Sequence, residues 1–186
     1  INVGSGADVR IDYLAKEISK IVGFTGKILF NSKFPDGTPT SINLSYPASF
    51  PDPYNPLENP LSEEGVNLGR HLFYDPILSS DNTVSCASCH KQENSFGDNT
   101  QYSFGVNQSL GERNASTIIN TAFQSHFDWD GKSESLENQA ERPIFNSIEL
   151  HNNNWSEVIN RLQKSSIYPA LFCDAFDDEI IPRQSW

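Results

Sequence analysis

Apolar residues recur at helical spacing along most of the 186-residue chain. Ile11, Leu14, Ile18 and Ile21 follow Asp8 at intervals of three and four, which predicts a helix over Asp8 to Val22 with Asp8 as N-cap and Gly23 and Gly26 as stops. Ser62 precedes Glu63 and Glu64, so a helix starts there with its anions at the positive end of the dipole; it runs through Leu68, Leu72 and Phe73 and ends at Pro76. Further helices are expected at Ala115 to Phe123 and at Ser133 to Ala140, the latter stopped by Arg142-Pro143. Two more follow at Trp155 to Lys164, through Val158, Ile159 and Leu162, and at Pro169 to Phe176, where Leu171, Phe172, Ala175 and Phe176 form the apolar face.

The intervening stretches read differently. Lys27 to Phe30 and Ser41 to Leu44, around Pro35-Asp36-Gly37, suggest a hairpin. Pro47, Pro51, Pro53, Pro56 and Pro60 make an extended arm whose aromatics Tyr46, Phe50 and Tyr54 suit a neighbouring surface. Val84 to Lys91 should be a short helical turn, and Gln92 to Arg113 a polar, glycine-containing loop. The fold class is thus all-α with few or no strands, divided near Asn59 into an N-terminal helix and Pro-rich arm (1–58) and a second unit (59–186).

Cys86-Ala87-Ser88-Cys89-His90 adds chemistry to this pattern. Two cysteines two residues apart, followed by histidine, form the attachment signature of c-type haem: the thiols add to the porphyrin vinyl groups and the imidazole becomes an axial iron ligand. The competing readings are a zinc half-site, a disulfide pair or chance. A zinc site wants a second pair of ligands, and Cys173, His71, His126 and His151 have no paired spacing. His71, alone on its helix, is more often structural or exposed in such a setting than a ligand, and Cys173 on an apolar face is more often a packed thiol than a reactive one.

Composition narrows the function. An apolar content of 37% is low, and a buried porphyrin would supply what the side chains lack. The net charge of −11 disfavours nucleic acid and anionic membranes and favours a small basic redox partner. No run of 18 apolar residues occurs, so no membrane span is expected. With no methionine in the chain, the histidine–methionine ligation common in electron-carrying cytochromes cannot be built from it. The chain starts at Ile1, which suggests a removed leader or a fragment, and covalent haem suggests an exported, periplasmic location.

Three segments, "LSEEGVNLGRHLFYDPILSSDNTVSCASCH", "GERNASTIINTAF" and "WDGKSESLENQAERPIFNSIEL", occur in an order that resembles the N-terminal haem domain of bacterial di-haem cytochrome c peroxidases and MauG-like proteins, over about Asn59 to Phe176. The resemblance implies a helical c-type cytochrome domain that reacts with hydrogen peroxide, and a second haem domain or chain that collects electrons from a small donor such as a cytochrome c or cupredoxin. It implies His90 as proximal ligand, Glu149 as the distal acid and base, and Gln139 and Pro143 as residues lining the distal pocket. It places Trp129 between the two haems and Asn114 at an interdomain calcium site. In the peroxidases a loop histidine ligates the resting iron and leaves on activation; the corresponding residue here is Val106, so that switch should be missing and the resting ferric iron high-spin. Asp128 stands where an aromatic residue is usual, Lys132 where arginine is frequent.

Without the resemblance, Glu149 reads as one solvated carboxylate among 24 acidic residues, Trp129 as a core aromatic and Asn114 as an N-cap. Three functions stay open: a peroxidase reducing hydrogen peroxide to water, a MauG-like oxidase acting on residues of a partner protein, and a mono-haem electron carrier. In each, a chain denatured after haem loading should keep the mass of one haem in mass spectrometry, and Cys86→Ala or Cys89→Ala should reduce that retention.

Overall fold

The computed structural model describes residues 39–53 and 60–176. The helix expected over Asp8 to Val22, the Lys27 to Phe30 half of the hairpin, Tyr54, Pro56 and the boundary near Asn59 lie outside those residues. Five α-helices follow among the described residues: α1 (Glu63–Tyr74), α2 (Cys86–Cys89), α3 (Leu136–Phe145), α4 (Trp155–Lys164) and α5 (Tyr168–Phe176). The described residues contain isolated β-bridges but no strand, in keeping with the all-α expectation.

The helices begin where polar caps place them. Ser62 Oγ accepts from the Gly65 N–H at 3.1 Å, Ser135 Oγ from Asn138 at 3.0 Å and Asn154 Oδ1 from Glu157 at 3.1 Å, each satisfying a first-turn donor that the helix leaves unpaired. α1 packs against α5, and α4 against α5 and the 3₁₀ turn Pro76–Leu78. Their shared core joins Leu68, Ile144, Trp155, Val158 and Leu162 with Tyr168, which is fully buried. The Tyr168 hydroxyl donates to Asp75 Oδ2 at 3.0 Å, and the other oxygen of Asp75 accepts from the Ile77 N–H at 2.9 Å. One carboxylate therefore closes the end of α1 and ties α5 to it.

Two expected elements differ. Ala115 to Phe123 is not a helix; only Thr121–Phe123 makes a 3₁₀ turn, entered through Asn120 at φ 60°. Three β-branched residues in a row, Thr117 to Ile119, favour helix weakly, and tertiary bonds take up the polar groups: Ser116 O accepts from His90 and Thr117 Oγ1 donates to Ser95 O. The second difference is α3, which starts at Leu136 and runs through Pro143 to Phe145. A proline inside a helix forfeits a backbone bond, and burial of Ile144, together with the Phe145–Trp155 edge contact at 4.7 Å between ring centroids, offsets the loss.

In residues 39–46 the backbone pairs with the start of α1 and forms no strand. Ile42 N–H donates to Leu61 O at 3.0 Å, Glu63 N–H to Thr40 O at 2.9 Å, and the carboxylate of Glu64 accepts from both Thr40 N–H and Oγ1. Further along, Tyr46 and Phe50 set their rings edge-on to Phe123 at 5.7 and 5.1 Å. Tyr168→Phe should lower stability by about 1.5–3 kcal/mol in denaturant unfolding, the usual worth of a hydrogen bond to a charged acceptor, without altering haem content.

Candidate haem site

The helices and the long loop leave a cavity of about 590 Å³ between them, a size typical of cofactor sites. Cys86, Cys89 and His90 line it together with Gln139, Pro143 and Glu149, with Leu72, Ile144 and Phe172 among the apolar lining. The sequence separates these two polar groups by about fifty residues, and the fold brings them to one space.

The cysteine wall is built by a single helical turn. α2 carries both cysteines, Ser88 Oγ accepts from the Ser85 N–H at 3.0 Å, and the His90 N–H closes the turn on Cys86 O at 2.9 Å. His90 Nδ1 lies 3.0 Å from Phe96 O and 3.1 Å from Ser116 O. Carbonyls only accept, so Nδ1 carries the proton and Nε2 keeps the lone pair, the tautomer a metal-binding imidazole needs. Burial lowers the pKa of His90, against the opposing pull of the two carbonyls and of Asp98. The Cys89 thiol is pushed up, first by burial, with the negative charges of Glu149 and Asp98 adding to it.

Glu149 sits on a turn that its neighbours determine. Asn146 ends α3 and its side chain serves both sides of the turn: Oδ1 accepts from Ile148 N–H at 2.9 Å, and Nδ2 donates to Glu149 Oε1 at 2.8 Å. The backbone of Glu149 is held as well, its carbonyl accepting from Val106 N–H at 2.9 Å. That contact requires Gly105, because a Cβ there would stand 1.8 Å from Ile148 O. Beneath the turn, Asn152 Nδ2 donates to Leu78 O at 2.8 Å and Ile144 O at 2.9 Å, and Arg161 donates to Asn152 Oδ1. Burial raises the pKa of Glu149, the charge of Asp128 adds to the rise, and Arg142 opposes it.

Val106 is buried in the apolar core and is not among the residues lining the cavity. His71, His126 and His151 are exposed and none lines the cavity. Trp129 lines the cavity yet is 63% exposed, so it is a rim residue and not a core aromatic; its Nε1–H donates to Asn114 O at 2.7 Å. The Asn114 side chain donates to Asp98 O and Thr100 O, bracing the loop, and caps no helix. Among the described residues no cluster of three or more His, Cys, Asp or Glu forms a metal cage.

These residues fit a covalently held haem: a largely apolar cavity lined by two cysteines, by an imidazole whose Nδ1 is engaged with two carbonyls, and by a carboxylate. Sequence reasoning missed Asp98, Arg142 and Ser133. Asp98 is 2% exposed at its side chain and accepts from Lys91 Nζ at 3.0 Å and Ser103 Oγ at 2.7 Å. An aspartate shortly after the haem motif, opposite Lys91, was its only visible signal.

A family model described as di-haem cytochrome c peroxidase matches residues 63–185, and the chain belongs to that family. It is similar to cytochrome c peroxidase Ccp of Escherichia coli, with 36% identity over 65% of this chain and 26% of the relative. It is also similar to the methylamine utilization protein MauG of Methylophilus methylotrophus, with 32% identity over 83% of this chain and 45% of the relative. A crystal structure of a MauG-like protein associated with microbial copper homeostasis superposes with a TM-score of 0.69 at 34% identity, covering 74% of this chain and 41% of that one. The chain thus spans between about a quarter and a half of the length of these relatives. The family implies haem c as the cofactor, and among the described residues no helix is long and apolar enough to cross a membrane.

Burial would raise the pKa of Asp98, but hydrogen bonds from Ser103, Lys91 and Thr100 outweigh it and hold the carboxyl well below the usual range. Its stabilisation is therefore complete above the unfolded pKa, near 4, and fades as the pH falls below that toward the folded value. Acid titration of the melting temperature should show this loss, and Asp98→Asn should flatten the curve in the same window.

Proposed function

We propose that the chain supplies the peroxide-reacting haem domain of a di-haem enzyme that reduces hydrogen peroxide to water. The observation that carries this reading is the placement of Glu149 in one cavity with Cys86, Cys89 and His90, on a turn held by Asn146 and Val106. Haem c, when bound, supplies the iron at which the O–O bond is broken. The protein's own part is proton handling: Glu149 accepts the proton of the incoming peroxide and returns it to the departing oxygen as water forms, the work of a single positioned carboxylate. Gln139, with its amide on the same wall, holds and orients the substrate, and Pro143 shapes the pocket beside it. Trp129, at the rim and exposed, is where electrons enter from a second haem domain or chain; Phe104 and Leu110, exposed apolar side chains bridged to each other on a separate loop that also lines the cavity at Phe104, support a docking face there.

The net charge of −11 favours a small basic donor, a cytochrome c or cupredoxin, met in a periplasmic compartment. Asn114 can offer a calcium ion its amide oxygen, since its Nδ2 is engaged with Asp98 O and Thr100 O; the remaining ligands would have to come from elsewhere. A MauG-like oxidation of a partner protein is the second reading, favoured by the buried Val106 and by the similarity to MauG. Peroxide turnover with a reduced donor separates the two. The mono-haem electron carrier has less support, because such a protein has no use for a half-buried carboxylate lining the haem cavity.

Glu149→Gln should slow the reaction with peroxide by about 10²- to 10⁴-fold, the usual range for losing a positioned acid–base group, at full haem content. Stopped-flow mixing with peroxide measures this, and an unchanged rate would remove Glu149 from the chemistry.

A further inference from the structure

Asp128 lies in a tight loop that is unusual for its backbone. It takes a left-handed conformation at φ 66°, between the Phe127–Ser133 bridge, closed by Phe127 N–H to Ser133 O at 2.8 Å, and Gly131 at φ 68°. Aspartate tolerates this region better than most side chains, but it is still an uncommon conformation. Its side chain is engaged on both oxygens. Oδ2 accepts from Ser133 Oγ at 2.7 Å and from Arg142 Nη1, which also reaches Ser133 Oγ at 3.2 Å; Oδ1 accepts from Gln139 Nε2 at a long 3.4 Å. Ser133 is fully buried. Asp128, Gln139, Arg142 and Glu149 all line the same cavity.

We infer that Asp128 and Arg142 form a positioning pair for the distal site: the pair pins the loop to α3, orients Gln139, and holds two opposed charges in the cavity that Glu149 lines. This rests on the proposed role of Glu149. An aromatic side chain at 128 would supply neither the bonds to Ser133 and Gln139 nor the partner that Arg142 has here. The charges act in opposite senses on Glu149: Asp128 favours its protonated form and Arg142 its ionised form, on top of the larger effect of burial. The remaining ionisable side chains on the cavity wall are Cys86, Cys89, His90, Glu112, and the rim group in which Asp130 binds Lys132 at 2.8 Å and Arg113 at 3.2 Å. Cys86 and Cys89 lose their thiols on haem attachment and the rim group is internally paired, while Asp128 and Arg142 are the charged side chains that act on Glu149.

The test uses the haem-loaded full-length protein and cyanide, whose neutral acid must surrender a proton to a distal base as it binds. The pH dependence of the cyanide association rate, read by stopped-flow absorbance, reports the protonation of Glu149 independently of turnover with a donor. Asp128→Asn should move the acid limb to lower pH and Arg142→Gln should move it to higher pH; a role limited to folding would shift neither limb and would lower the melting temperature in both. Glu149→Gln should remove the limb. If the limb survives in Glu149→Gln, the role of Glu149 and this inference both fall. If it vanishes there but stays in place, or moves in the same direction, in both Asp128→Asn and Arg142→Gln, the inference alone is overturned.

Discussion

The bond from the His90 ring to two backbone carbonyls is the constraint on which the cavity depends. Phe96 O and Ser116 O come from segments twenty residues apart, and both must reach Nδ1 for the imidazole to keep one tautomer and one orientation. That demand explains why the chain from Phe96 to Ala115 is irregular. A regular helix or strand would consume its carbonyls internally, and none would be left for the ring. The loop is instead braced by side chains: Asp98 gathers Lys91, Ser103 and Thr100, Asn114 bonds to the backbone at Asp98 and Thr100, and Thr117 reaches Ser95 O.

The Glu149 turn, which lines the same cavity, is held by different groups. Glu149 stands on a turn whose geometry comes from Asn146 and whose base is the Asn152–Arg161 cluster under it. The two loops meet at Gly105 and Ile148, where only a missing side chain allows the backbones to approach. The bonds around His90 and those around Glu149 are therefore mechanically linked, since the loop running from Phe96 also carries Gly105 and Val106 onto the Glu149 turn. A site assembled from long loops is held in place by hydrogen bonds more than by apolar packing, which suits a domain whose side chains are only modestly hydrophobic.

Much of this was legible in the chain. α1 and α4 stood out through their apolar period and caps, α5 through its apolar face, and the haem attachment through five adjacent residues. These signals are local: a cap, a period and a covalent motif act over a few residues, and nothing distant competes with them. The resemblance singled out Glu149, Gln139, Pro143, Trp129 and Asn114, which the fold brings to one cavity, where residue type alone would have left Glu149 as one acidic side chain among 24.

Distant partners decided the rest. Whether 115–123 would be a helix turned on competition for its carbonyls by His90, and whether Pro143 would stop α3 turned on the burial of Ile144 and the contact with Trp155. Asp128 read as a departure from an aromatic residue, and nothing near it in the chain announced Arg142 and Ser133 as its partners. The chain by itself determined which segments could be helical and which residues could hold haem. Only the tertiary structure decided which polar groups would be buried together, because the cost of an unpaired buried group is met by partners that can lie anywhere along the sequence.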